Sequence, residues 1–189
     1  MIDIAFLESC KNPNVDNSII QQIVRVESNK NPFSINVNKD GKSFISFSPK
    51  TKIDAIKIAR KYISEGYNID IGLMQFNSNN LNLKTFSDLS VDDLLDPCIN
   101  IKSGSDLFYL AYESTDIKLT KEERTKIALS IYNTGDKDLG FKNGYVDKYN
   151  IPSNMTLVSL SEEARKSDTK INLSYSLFNL ENLKNKKED

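Results

Sequence analysis

The chain of 189 residues contains no histidine and no tryptophan, and it has only two cysteines, seven glycines and five prolines. Without histidine, Ser-His-Asp and Cys-His nucleophilic systems are excluded, as are histidine-containing zinc sites. Two cysteines cannot build a four-thiolate site. The formal net charge is only −1, which gives no case for nucleic acid or an anionic membrane as the main partner. No apolar run is long enough to span a bilayer. The first ten residues, Met1 to Cys10, carry Asp3 and Glu8 and lack a basic start, so they do not read as a signal peptide. If the protein is exported, its export signal has been removed.

What remains for chemistry is carboxylates, tyrosines, amides and backbone, and among these Glu27 stands out. Ile20, Ile23, Val24 and Glu27 fall at i, i+3, i+4 and i+7, one face of an amphipathic helix. Three of those positions want a core, and the fourth puts an acid at its edge. Partial burial and the negative end of a helix both disfavour an ionised carboxylate, so the pattern predicts a raised pKa. A carboxylic acid that keeps its proton near neutral pH suits general-acid catalysis. The plainer alternative is that Glu27 borders the stripe and reaches out to water. Cys10 and Cys98 also have two readings. As a disulfide they would close a loop of 88 residues and stabilise the fold by about 4–5 kcal/mol; as reduced thiols they would act as small buried hydrophobes.

Element signals are mostly local. Ser18 and Gln21 have capping-box spacing, and Pro32 stops that helix by about Asn31. Ile35 and Val37, then Asn38-Lys39-Asp40-Gly41, then Phe44, Ile45 and Phe47 read as a hairpin with Asp-Gly at its turn. A second helix is expected from Ser48-Pro49 to Gly66, with Ile56, Ala59 and Ile63 on its inner face. An extended stretch follows from Asn68 to Phe76. Asp96-Pro97 opens a helix toward Tyr112 with the stripe Ile101, Phe108 and Tyr112, and Gly104 allows close approach. Thr120 and Glu123 form another capping box, and that helix ends at Gly135. Residues 151–189 are rich in Ser, Asn, Lys and Glu and contain no glycine. They read as a polar, peripheral or partly disordered tail with short helices near Ser161 and Leu177. The expected class is α+β leaning strongly to α, with one small β-hairpin and a single domain over residues 1–150.

Three islands carry further chemistry. Gly72-Leu73-Met74-Gln75, continuing to Asn77, offers close backbone approach and amides suited to sugar hydroxyls and N-acetyl groups. Asn100-Ile101 with Gly104 lies on the helix after Asp96-Pro97-Cys98. Tyr132-Asn133-Thr134-Gly135 ends the last helix. In this order, after Glu27-Ser28, the islands resemble the lysozyme-like soluble lytic transglycosylases. A narrower resemblance is to the peptidoglycan-cleaving lytic transglycosylase of bacterial type IV secretion and conjugation machines. It rests on Val26-Glu27-Ser28, Asn31-Pro32-Phe33, Ile35-Asn36-Val37-Asn38, the run Gly66 to Gln75, and Asp96-Pro97-Cys98. It covers about Cys10 to Tyr149.

The resemblance implies a lysozyme-like fold, a periplasmic location and a Cys10–Cys98 disulfide. It also implies cleavage of the β-1,4 bond between N-acetylmuramic acid and N-acetylglucosamine, giving 1,6-anhydromuramyl products, with proteins of a secretion machine as possible partners. Glu27 is then the catalytic acid, and no metal or organic cofactor is required. Ser28, Met74, Gln75, Asn77, Asn100, Tyr132 and Asn133 are candidate substrate-binding residues, with Asn77 and Asn100 the weaker of these. Ser28 is expected to fix the Glu27 rotamer, and Gln75 with the Met74 backbone to hold an N-acetyl group. Asp70 is a possible second carboxylate. If it activates water, the enzyme becomes an inverting muramidase; otherwise Asp70 is an exposed strand residue. Tyr145 and Tyr149 are either sugar platforms or core. A non-catalytic peptidoglycan-binding scaffold protein is the competing class.

Overall fold

In the computed structural model, which describes residues 3–151, the chain folds as α+β with helix predominating. Residues 152–189, where the polar tail and its short helices were expected, lie outside that range. The described chain divides into two compact units: Asn17–Ser105 with the segment up to Lys11, and Asn12–Asp16 with the chain from Asp106 onward.

In the first unit, helix α1 (Ile4–Cys10) starts where the Asp3 carboxylate accepts the Phe6 amide proton at 2.9 Å. Helix α2 (Asn17–Ser28) follows. It begins one residue before the expected cap, so Ser18 lies inside the helix. Asp16, itself a residue type suited to N-capping, immediately precedes it. Ile20, Ile23 and Val24 are completely buried, as the stripe requires. Asn29 and Lys30, with φ of 48° and 69°, take the chain out of the helix.

Strands β1 (Ile35–Lys39) and β2 (Lys42–Phe47) form the expected hairpin. Asp40 and Gly41 both have positive φ, at 51° and 70°, as a two-residue hairpin turn matched to the strand twist needs. The pairing slips between Val37 and Asn38, leaving Phe44 as an extra residue on β2. The hairpin is part of a larger sheet. Strands β3 (Asn68–Ile71) and β4 (Phe76–Asn77) extend it to four antiparallel strands in the order β2-β1-β3-β4. Ile35, Val37, Ile69, Ile71 and Phe76 fill the buried face. Edge strand β2 leaves Phe44 56% exposed, and that ring stacks on Tyr67 at 5.9 Å.

Helix α3 (Lys52–Ser64) is capped by Thr51, whose hydroxyl accepts from the Asp54 amide. The helix therefore starts later than Ser48-Pro49, which form the lead-in, and its inner face is Ala55 and Ala59. Helix α4 (Pro97–Glu113) begins as expected, with the Asp96 carboxylate accepting from the Cys98 and Ile99 amides at 2.9 and 3.0 Å. A disulfide joins Cys10 at the end of α1 to Cys98 in the first turn of α4, with Cα atoms 5.0 Å apart.

In the second unit, helix α5 (Lys121–Thr134) has the expected reciprocal capping box between Thr120 and Glu123, and ends at Gly135 with φ 70°. Hydrogen bonds from the Thr120 backbone and hydroxyl hold the Glu123 carboxyl below its usual pKa. The stability from this cap is fully present above the ordinary glutamate range and is lost as pH falls below that range through the lowered pKa. Arg124, one turn before Ala128, is buried. It donates to the Thr115 hydroxyl (2.7 Å) and the Tyr112 carbonyl (3.1 Å), and sits 4.0 Å over the Tyr112 ring. Helix α6 (Leu139–Lys142) packs Gly140 against Ser130, whose hydroxyl accepts the Gly140 amide at 2.8 Å.

Replacing both cysteines by alanine should cost about 2–5 kcal/mol in urea unfolding, because the disulfide closes a long loop in the unfolded chain. An unchanged denaturation midpoint would mean the crosslink adds nothing to the fold.

Candidate active site

The first unit is organised around the four residues Gly72–Gln75. They link β3 to β4 above the pairs Ile71–Phe76 and Asp70–Asn77. The expected continuous extended stretch from Asn68 to Phe76 is thus broken by a tight loop. Gly72 has φ 79°, and a Cβ there would collide with the Asn100 amide and lie 2.9 Å from the Leu94 carbonyl. Only glycine meets both conditions.

Asn100 shapes this loop. Its side chain is fully buried. Its Oδ1 accepts from the Met74 amide, and its Nδ2 donates to the Ile71 and Leu94 carbonyls, each at 2.8 Å. One turn along α4, a Cβ at Gly104 would lie 2.6 Å from the Met74 Cβ. The Met74 side chain therefore seats directly on the helix backbone. Met74 was expected to contribute its backbone to a sugar, but its side chain is buried and its amide is already bonded; Asn100, a weaker substrate candidate whose alternative was to tie backbone together, does the latter. Their observed contacts hold the loop in shape.

Gln75 is half-buried and has φ 47°, an uncommon conformation for a residue with a side chain. Its amide nitrogen donates to the Ser34 carbonyl (3.1 Å) and the Gly72 carbonyl (2.9 Å). Both donors are spent, so a ligand would meet only the acceptor Oε1. The Gly72 amide also reaches the Ser34 carbonyl, at 2.8 Å.

Helix α2 is fastened to the same loop. The Ser28 hydroxyl donates to the Leu73 carbonyl at 2.8 Å and to the Val24 carbonyl at 3.0 Å, and the residue is buried. Ser28 therefore ties helix to loop, whereas it was expected to set the Glu27 rotamer. Glu27 sits one residue before this tie, half-buried at the end of the apolar stripe.

Asp70 is half-buried on β3, not the exposed strand residue considered above. Its Oδ2 accepts from the amides of Asn36 (3.0 Å) and Asn38 (2.8 Å), and its Oδ1 from Asn77 (2.6 Å). Asn77 also accepts the Asn79 amide at 2.9 Å, so much of its side chain is used locally. The sequence reading did not anticipate this cluster, although Asn36, Asn38 and Asp70 alternate along their strands as residues of one face do.

In the second unit, Tyr132 is half-buried, with its ring 6.3 Å from Phe108 in an edge-on contact. Asn133 is exposed and accepts from Asn143 at 3.2 Å. Tyr145 and Tyr149 are buried, with their hydroxyls 2.5 Å apart, so they belong to the core and offer no sugar platform. Among the described residues, no cluster of acidic and cysteine side chains could hold a metal ion.

Asn100→Ala should destabilise the protein by about 2–4 kcal/mol, since it strands buried backbone donors and acceptors. Urea denaturation measures this, and a loss under about 0.5 kcal/mol would mean that the three bonds do not hold the loop.

The profile of the transglycosylase SLT domain family matches residues 5–154. Protein virB1 of Agrobacterium fabrum strain C58 is 29% identical over 143 residues, which is 76% of this chain and 56% of that protein. A virB1 protein of Rhizobium radiobacter is 29% identical over 150 residues, 79% of this chain and 60% of its own length. The type IV secretion system protein virB1 of Brucella abortus biovar 1 is 31% identical over 134 residues, 69% of this chain and 53% of its own. The chain thus spans little more than half the length of these relatives. No solved structure matches it. Its matched region holds Glu27-Ser28, the Gly72–Gln75 loop and the Asn100 helix together, and the chain belongs to the SLT transglycosylase family.

Proposed function

We propose that this chain is a peptidoglycan lytic transglycosylase that cleaves the β-1,4 bond between N-acetylmuramic acid and N-acetylglucosamine. The observation that carries this reading is the placement of Glu27. It is a half-buried acid at the end of an apolar helix whose next residue, Ser28, is hydrogen-bonded to the Gly72–Gln75 loop. The family match and the resemblance to type IV secretion virB1 proteins support it.

Glu27 protonates the glycosidic oxygen as the bond to the anomeric carbon breaks, through an oxocarbenium-like transition state. Its carboxylate then takes the proton from the muramyl 6-hydroxyl, whose oxygen bonds to the anomeric carbon and closes the 1,6-anhydro ring. One acid serves twice because the nucleophile belongs to the substrate and is already positioned. Gln75, with both N–H groups committed, would accept through Oε1 from a sugar acetamido N–H or hydroxyl. Tyr132 and Asn133 remain candidate substrate contacts. Such an enzyme would act in the periplasm, opening the wall locally for a secretion or conjugation apparatus. No helix among the described residues is long and apolar enough to cross a membrane.

Glu27→Gln should keep the melting temperature and lower lysis of purified cell wall by at least about a hundredfold. Undiminished lysis by this variant would exclude Glu27 as the acid.

A further inference from the structure

Asp70 has a feature that the proposed reaction does not use. Three amides aim N–H donors at its two oxygens, an arrangement that fits a carboxylate acting only as an acceptor. The orientation is enforced from behind. The Ser43 and Ser46 hydroxyls donate to Asn36 Oδ1 at 2.6 and 2.8 Å, which fixes the Asn36 Nδ2 toward Asp70 and Asn38. No lysine or arginine among the described residues forms an ion pair with Asp70. Neutral donors hold this negative charge in place without cancelling it.

Its position suggests a use. Asp70 pairs with Asn77 on the strands that the Gly72–Gln75 loop joins, and the helix carrying Glu27 is tied to that loop through Ser28 and Leu73. We propose that Asp70 supplies a fixed negative field for the positive charge that develops on the reacting sugar. The inference rests on the transglycosylase reading above. As the glycosidic bond breaks, its electron pair goes to the leaving oxygen, which takes the Glu27 proton. The ring oxygen and anomeric carbon carry positive charge until the muramyl 6-oxygen bonds to that carbon and gives its proton to the Glu27 carboxylate. Asp70 forms no bond and moves no proton. A charge oriented beforehand by a rigid amide frame needs no reorganisation when the sugar becomes cationic, which is where electrostatic stabilisation is most effective. Two carboxylates in unlike surroundings then take unlike roles: Glu27 at an apolar edge as proton carrier, and Asp70 among amides as a stationary anion.

The test uses the full chain on purified peptidoglycan, with anhydromuropeptide release as the readout. Asp70→Asn and Asp70→Ser both remove the charge, and serine keeps an acceptor if asparagine disturbs the frame. Asn38→Ser removes one amide and leaves the charge. Both neutral variants should lose about a hundredfold in kcat with KM changed by less than about threefold. Asn38→Ser should lower kcat by a smaller factor, about tenfold, because the charge remains while one of its three orienting amides is gone. Neutral variants with near-wild-type kcat would overturn the inference, as would an Asn38→Ser loss as large as theirs, because the role would then be structural. Either result, with wild type still releasing anhydro ends, leaves the transglycosylase reading standing. A folded wild type that releases none overturns both.

Discussion

Three hydrogen bonds from one buried amide determine the shape of the candidate site. Asn100 bonds the Met74 amide and the Ile71 and Leu94 carbonyls. Through them, the first turns of α4 dictate the path of a loop about 26 residues earlier in sequence. The loop cannot take this path with a side chain at position 72, and Met74 cannot seat with one at position 104. A buried amide with its partners in place specifies one conformation, because every alternative leaves polar groups unpaired. Two further ties converge on the same four residues: Ser28 from α2, and the Ser34 carbonyl that receives both Gly72 and Gln75.

This anchoring also gives the disulfide a place in the architecture. Cys98 lies in the first turn of α4, two residues before Asn100, where the Asp96 carboxylate caps the helix. The crosslink to α1 and the Asp96 cap therefore secure the segment from which the loop is held. The Asn36, Asn38 and Asn77 amides also lock the β1-β3-β4 face around Asp70. Such rigid support suits chemistry that relies on one positioned proton and a preorganised field.

Local rules made some of this legible in the sequence. The Asp40-Gly41 turn, the Thr120–Glu123 box and the Asp96-Pro97 start each depend on residues within a few positions, and each formed as expected. The Ile20-Ile23-Val24 stripe was equally readable, since a helical period needs no partner to be recognised. Where two cap-competent residues competed, the choice went elsewhere: helix α2 starts before Ser18, and Thr51 displaced Ser48-Pro49. Long-range closure was not legible. The extended stretch from Asn68 could be read, but its break at Gly72, its pairing with β1, the burial of Met74 and the three amides around Asp70 all depend on contacts between distant segments. As an edge strand, β2 leaves Phe44 and Ile45 exposed, which the alternating pattern alone does not reveal. Residue types and the family resemblance could thus single out candidates, but which of them hold the loop depended on three-dimensional contacts.

Mass spectrometry of peptidoglycan digested by the wild-type protein tests the central claim most directly. An acid at position 27 working with the substrate's own 6-hydroxyl predicts muropeptides ending in 1,6-anhydromuramic acid. Reducing ends would show that water is the nucleophile, and an intact wall would show that the protein does not cut glycan.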